Sequence, residues 1–413
     1  MFTSFSTALS ALKAQSTAID VVGNNLANMN TSGFKSSVVS FHDLVSQSLG
    51  AGEAQVGFGV GRPVTLRHFS QGSIQITTGP LDAAIQGDGF FLVQGPNGAI
   101  EYTRGGNLQV DKDGRLMTTT GEVIQGWTRT NGVLDTNAAV GSVIVPIGTV
   151  EAPIKTKSFS FDINLNAAAA AGTPGGTFST SVSIFDSLGN SHVVNAKFTK
   201  SATAGQWDYS IGIPDADVQN PPATPLTGSI TFDSNGKLAT PAATDAPPQL
   251  QIQGLQDGAA DMNIDWSLFN GTTPRVSQYA QPSATSAVGQ DGGPAAQLTS
   301  IGLGDGGTVV AQYSNGQQIV VGQLAMALIR NPESLLAIGN NNYQLSVRSA
   351  VPAVGTSGTG GRGSVIGGAV ESSNVDIAQE FTNLIVLQRG FEANSKVITT
   401  VDEISQVTIN LKK

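Results

Sequence analysis

Glu371–Ile404 reads ESSNVDIAQEFTNLIVLQRGFEANSKVITTVDEI. Within it Ile377, Leu384, Phe391 and Ile398 recur every seven residues, with Phe381, Val401 and Ile404 beside them. A repeat of this kind is the seam of a helix that packs on another helix. A matching stripe stands at the other end of the chain. Phe5, Leu12, Ile19 and Leu26 keep the same interval there, and Leu9, Val22 and Met29 fill the same side. Proline occurs only between Pro63 and Pro352, so neither segment carries a helix breaker. The spacing predicts one helix over residues 1–29, ending near Asn28–Gly33 where Asn and Gly supply stop chemistry. It predicts a second over about 375–410, with Ser373 or Asn374 as N-cap and Asp376 suited to the positive helix start. Both stripes are narrow and flanked by Ser, Thr and Asn. They make a poor core for a lone molecule and a good contact between copies.

The body between these ends reads as β. Of 413 residues, 50 are glycine and only 12% are charged, while 39% are apolar, which excludes a disordered composition. Period-two runs bounded by tight turns begin near residue 71: SIQITTG, GFFLVQG, NLQVDKDGRLMTTTG and EVIQGW. A second set includes SVSIFDSLGNSHVVNAKF and SITFDSNGKLAT, and a third includes TVVAQYSNGQQIVVGQLAMALI. Each is a strand, an Asn/Asp-Gly or Leu-Gly turn, and a returning strand.

The expected fold is therefore mainly β, with nested barrel or sandwich domains and terminal α-helices paired as a coiled-coil-like inner stalk. Residues 1–33 and 370–413 form the helical part, and 34–70 with 353–369 an extended connecting region. Residues 71–150 and 286–352 form a first β domain, and 151–285 an outer one. The glycine-rich runs at 50–61 and 353–368 are expected as a loop that orders against its neighbours and as a linker. Bending is expected at the junctions 145–155 and 274–285.

Several chemistries are excluded or disfavoured. The chain has no cysteine, hence no disulfide, thiolate metal site or cysteine nucleophile. Its net charge of −9 opposes nucleic-acid phosphate. The apolar run 319–329 is too short and too broken to cross a bilayer, and no cleavable signal is evident. Gly302, Gly304 and Gly307 match a dinucleotide fingerprint, but a strand follows where a helix N-terminus is required. Asp111–Asp113 with Glu122 reads as a hairpin turn, because Leu116 sits where a calcium loop needs glycine. His42, His68 and His192 show no ligand spacing and are expected to be surface or packed residues. No nucleophile elbow occurs. No cofactor and no enzymatic activity are expected.

Three motifs resemble one family. NNLANMNTSGFKSS (Asn24–Ser37) resembles the N-terminal signature of bacterial flagellar axial proteins, the rod and hook group. GDGFFLV (Gly87–Val93) resembles that group's shared strand motif, and Glu371–Ile404 resembles its C-terminal helix. IFDSLGNSHVV (Ile184–Val194) is similar to a motif in the outer domain of the hook members, which rod members lack. The resemblance implies a homopolymer of many copies that forms a short curved tube and couples the motor to the filament as a universal joint. It also implies uncleaved export through the flagellar export apparatus to the extracellular flagellum. Rod proteins, hook–filament junction proteins and the hook cap are the implied partners, with no membrane insertion.

On this reading the subunit contacts fall on Phe5, Leu9, Leu12, Ile19, Val22, Leu26, Asn24, Asn25, Asn28, Phe34, Lys35, Asn374, Ile377, Phe381, Leu384, Phe391 and Ile398. Ordering the helices costs roughly 1–2 kcal/mol per backbone residue, more than one seam returns, so both ends are expected to fold on polymerisation. Two other readings stay open: a distal rod protein, and a secreted β-rich adhesin or hydrolase whose ends are trimerising coils.

Overall fold

The computed structural model describes residues 2–44, 47–48, 55–57 and 59–410. It is mainly β, with one long helix at each end, α1 (Phe2–Ala27) and α2 (Ile377–Asn410), packed together. This is the fold class expected from the sequence. The chain divides into two units: a terminal unit of residues 1–147, 300–312 and 318–413, and an inserted unit of 148–299 and 313–317. The boundary at 299–300 lies beyond the expected junction at 274–285, because Val276–Tyr279 and Ala284–Gln290 are sheet strands of the inserted unit.

In the terminal unit an antiparallel sheet runs in the order Thr308–Tyr313, Gln318–Leu324, Val123–Thr128, Phe90–Gln94, Ile100–Thr103, Asn342–Gln344, Leu336–Gly339. The GFFLV strand is buried on both faces. Phe91, Val93 and the neighbouring Ile85 are fully covered on one side. Phe90 and Leu92 join Tyr102, Trp127 and Tyr343 in a cluster on the other. The aromatics of this motif are thus core, and Phe69 packs edge-on against Phe90 and Tyr343 with centroids 5.5 and 5.2 Å away.

The glycine-rich run 353–368 is not a free linker. Ala353–Gly355 pairs with Met326–Leu328, Ser364–Gly367 with Ala83–Gln86, and Ala369–Glu371 with Ile74–Ile76. Its glycines permit close approach: a Cβ on Gly367 would stand 1.9 Å from the Leu303 carbonyl oxygen. Of the other glycine-rich run, Gly50 and Gly52 lie outside the described residues. Nearby, Ser37–Ser40 pairs with Val64–Arg67, and Val60 N donates to Ser10 Oγ of α1 at 3.1 Å.

The inserted unit contains two five-stranded sheets. One is an antiparallel meander of Thr177–Phe185, Ser191–Lys200, Gln206–Gly212, Leu226–Phe232 and Leu238–Thr240. The other centres on Ser158–Asn166, which lies antiparallel to Ala284–Gln290 and parallel to Met262–Trp266 and Val276–Tyr279. Strict alternation buries Phe159, Phe161, Ile163 and Leu165 from one sheet and Val194, Ala196 and Phe198 from the other in a single core. Trp266 sits at its centre, 5.0 Å from the Tyr209 ring and 5.9 Å from that of Phe198. Trp266→Ala is expected to lower the stability of the inserted unit by about 3–5 kcal/mol. Leu188→Ala, at an exposed turn, is expected to change it by no more than about 0.5 kcal/mol. Urea unfolding followed by near-UV circular dichroism measures both.

Candidate assembly surface and the joint at its base

The two helices run antiparallel. Asn25 Nδ2 donates to Glu380 Oε1 at 2.9 Å at one end, and Asn394 Nδ2 donates to Gln15 Oε1 at 3.2 Å further along. With 26 and 34 residues, and a rise of about 1.5 Å per residue, α2 outruns α1. Small residues close the pair. Ala8, Ala14 and Ala18 are buried on α1 together with Val22 and Asn25. On α2, Gly390 faces Gln15 so closely that a Cβ would stand 2.4 Å from its amide nitrogen.

The heptad stripes therefore divide. Val22 is buried, and Leu12, Ile19, Leu26, Leu384 and Ile398 are half-buried. Phe5, Leu9, Ile377, Phe381 and Phe391 are exposed, Phe381 at 52% of its surface. Ile385, Val386, Val397, Ile404, Val407 and Ile409 are exposed as well. Buried alanines and Val22 bring the backbones close, while five of the heptad residues stay exposed. A shallow groove lined by Ala18, Val22, Val38, Phe41, Val386 and Leu387 lies beside the pair.

The polar members of the expected contact set have partners within the chain. Asn25 is fully buried: its amide also donates to Ser37 O at 2.8 Å and its carbonyl accepts Ser37 N at 2.9 Å. Asn374 Oδ1 accepts Ser36 N at 2.7 Å, while Nδ2 donates to His68 O and Ser70 O at 3.0 and 3.1 Å. Asp376 is the N-cap, accepting Gln379 N at 3.1 Å, in place of the expected Ser373 or Asn374. Asn24 is exposed, and its carbonyl oxygen accepts the Asn28 side-chain amide at 2.9 Å. Asn28, half-buried, also accepts Thr31 Oγ1. Phe34 is buried.

Lys35 enters a buried charge cluster. Its Nζ donates to Glu371 Oε1 at 2.6 Å and to Ser70 O at 2.7 Å, and both charged side chains are fully covered. Glu371 also accepts Gly72 N at 2.9 Å and Arg104 Nη1 at 3.2 Å. Arg104 in turn donates to Gly87 O at 2.8 Å and lies over the Phe90 ring. Burial pulls the Lys35 pKa below the usual lysine range, against the upward pull of Glu371. One carboxylate thus holds two cations, and these charges join the end of α1, the GFFLV strand and the start of α2. Glu371, Arg104 and Glu380 were absent from the residues singled out by sequence. A charged residue just before a helix or beside a Gly-Gly pair carries no local sign of burial.

Four stretches of the chain match known family models. Residues 5–35 match the flagella basal body rod protein model, and 84–166 the flagellar hook protein FlgE/F/G D1 domain. Residues 160–292 match the flagellar basal body protein FlaE D2 domain, and 366–411 the flagellar basal body rod FlgEFG protein C-terminal model. Along its whole length the chain is 31% identical to the flagellar hook protein FlgE of Borreliella burgdorferi, covering all of both chains. The chain belongs to the flagellar hook protein family. It is also 33% identical to the FlgE of Salmonella typhimurium, over 99% of this chain and 100% of that one. A crystal structure of Helicobacter pylori flagellar hook protein FlgE2 shares the fold at a TM-score of 0.50 and 14% identity, covering 66% of this chain and 94% of the other. As a hook-family protein it is a structural subunit of an extracellular flagellar polymer, and neither the rod nor the adhesin or hydrolase reading gains support.

The buried cluster makes a specific demand on stability. Glu371→Gln leaves two buried cations without their anion and is expected to cost about 3–5 kcal/mol. Lys35→Met leaves the Arg104–Glu371 pair balanced and is expected to cost about 1–3 kcal/mol. Equal losses from the two variants in urea unfolding would contradict the assignment of Glu371 as the shared counter-ion.

Proposed function

We propose that the exposed apolar face of the α1–α2 pair is the surface through which copies of this subunit polymerise into a curved tube. One observation carries the reading. The helix pair closes on alanines, and Phe381, Phe391, Ile385 and Ile409 remain uncovered within one chain. Exposed apolar rows of this length mark an interaction surface. A head-to-tail contact that does not close on itself builds a helical filament. Phe5, Leu9, Ile377, Phe381 and Phe391 are the proposed contacts, with Leu12, Ile19, Leu26, Leu384 and Ile398 half in the pair and half toward neighbours. Asn25, Phe34 and Lys35 act behind this surface by holding its base.

The tube transmits torque from motor to filament as a universal joint. Packed helices resist twist, while the polar, sparsely charged faces of the β units exchange wet contacts at little cost. Bending falls where the chain passes between the units, at 147–148, 299–300, 312–313 and 317–318. Rod proteins, junction proteins and the cap meet the same polymer at its ends, and the subunit reaches it through the flagellar export apparatus. The protein has no catalytic role in this reading. Among the described residues no helix is long and apolar enough to cross a membrane.

The test separates folding from assembly. Phe381→Ser combined with Ile385→Ser is expected to leave monomer stability within about 1 kcal/mol, since both side chains are exposed. The same double variant should form no tubes in negative-stain micrographs of concentrated protein. Normal tubes from it would overturn the proposed surface.

A further inference from the structure

We propose that the inserted unit binds one divalent transition-metal ion, Zn²⁺ foremost, between Asp186, His192 and Asp257. His192 Nε2 stands 3.1 Å from Asp186 Oδ2 and 3.4 Å from Asp257 Oδ2. The three ligand atoms all lie within 4.8 Å of one another. Zinc bonds of about 2.0–2.1 Å in a tetrahedron place neighbouring ligand atoms roughly 3.3–3.4 Å apart, so the spacing suits an ion seated among them.

Each group turns one atom to a shared centre, where the hydrogen bond between His192 Nε2 and Asp186 Oδ2 would give way to the ion. Asp186 sits at the hairpin turn of IFDSLGNSHVV, where Oδ1 accepts Leu188 N and Asn190 N at 2.8 and 2.9 Å, leaving Oδ2 for the ring. Asp257 Oδ1 accepts Ala259 N at 3.0 Å, and Oδ2 faces His192 while accepting Asn190 Nδ2 at 3.0 Å. On the far side of the imidazole, Asp217 Oδ2 lies 3.5 Å from Nδ1. With Nδ1–H directed at that carboxylate, Nε2 is the nitrogen available to a metal, the arrangement of metal-bound histidines.

Charge gives a second, independent reason. Three aspartates surround one histidine, so even an imidazolium leaves two negative charges uncompensated. Asp186 is fully buried, and its Oδ2 shares the single imidazole with Asp217 and Asp257. Among the described residues, no lysine or arginine forms an ion pair with any of the three. A divalent cation supplies the missing charge. Calcium takes six to eight oxygen ligands, whereas an imidazole with two carboxylates suits zinc and its neighbours. The Asp257 side chain is a quarter exposed, which leaves an entry path and room for a water as fourth ligand. Bound there, the ion would clip the hairpin turn to the loop after Gln249–Ile252. The inference concerns this unit alone and stands apart from how subunits assemble.

The experiment uses the full chain, stripped with chelator and titrated with ZnCl₂ by calorimetry, with metal content after dialysis measured by plasma mass spectrometry. One Zn²⁺ per chain is expected, with affinity falling as pH drops from about 7.5 to 5.5 because protons compete for the same ligands. Asp257→Asn and His192→Gln should each weaken binding at least about tenfold, while Asp208→Asn, exposed elsewhere on the same unit, should not. Circular dichroism checks the fold. If His192→Gln unfolds, Asp257→Asn, at an exposed position, decides alone. No stoichiometric Zn²⁺, or binding that Asp257→Asn leaves unchanged, would overturn the site.

Discussion

Everything at the base of the helix pair depends on one buried carboxylate. Glu371 lies where three stretches of chain meet, and it is the only anion paired with Lys35 and Arg104 among the described residues. A buried charge is tolerated only when its partners are in place. Lys35 follows α1 after a short turn, Arg104 directly follows the strand beside GFFLV, and Glu371 ends the strand that leads into α2. Forming the cluster therefore requires all three segments to arrive together. Asn25 and Glu380 extend the same logic one turn into the helices. The joint orients the base of the helix pair.

That pair is built to be incomplete. Alanine gives little buried area, so the contact between α1 and α2 is close but weakly stabilised. Phe5, Leu9, Ile377, Phe381 and Phe391, which would have strengthened it, are exposed. Toward the end of α2, Ile404, Val407 and Ile409 are exposed. A structure that places its greatest apolar content outside its own contacts reserves that content for other copies. Tying the pair firmly at one end and weakly along its length reconciles a defined subunit with an open-ended polymer.

Much of this was legible in the sequence. The seven-residue stripes located both helices to within a few residues, and period-two runs with Gly turns announced the β body. IFDSLGNSHVV folds as the hairpin its turn residues require, with Ile184 opposite His192. What escaped has physical causes. Counting large apolar residues marks the widest stripe, not the tightest contact, so Ala8, Ala14 and Ala18 went unread. Glycines at 353–368 signalled flexibility, whereas Gly363 and Gly367 are there because neighbouring backbone leaves no room for a side chain. Glu371 and Lys35, like His192 and Asp257, are far apart in the chain. Only the folded topology brings such pairs together, and no local spacing rule reports them.

Hydrogen–deuterium exchange of the free subunit compared with the assembled tube tests the central claim most directly. In the monomer, strong protection is expected around Val22–Asn25, Lys35 and Glu371–Leu384, with little over Phe5–Leu9 and Ile398–Ile409. In the tube, protection should extend over both helices. Full protection of both helices in the monomer, unchanged on assembly, would contradict the account, as would a base as unprotected as the tips.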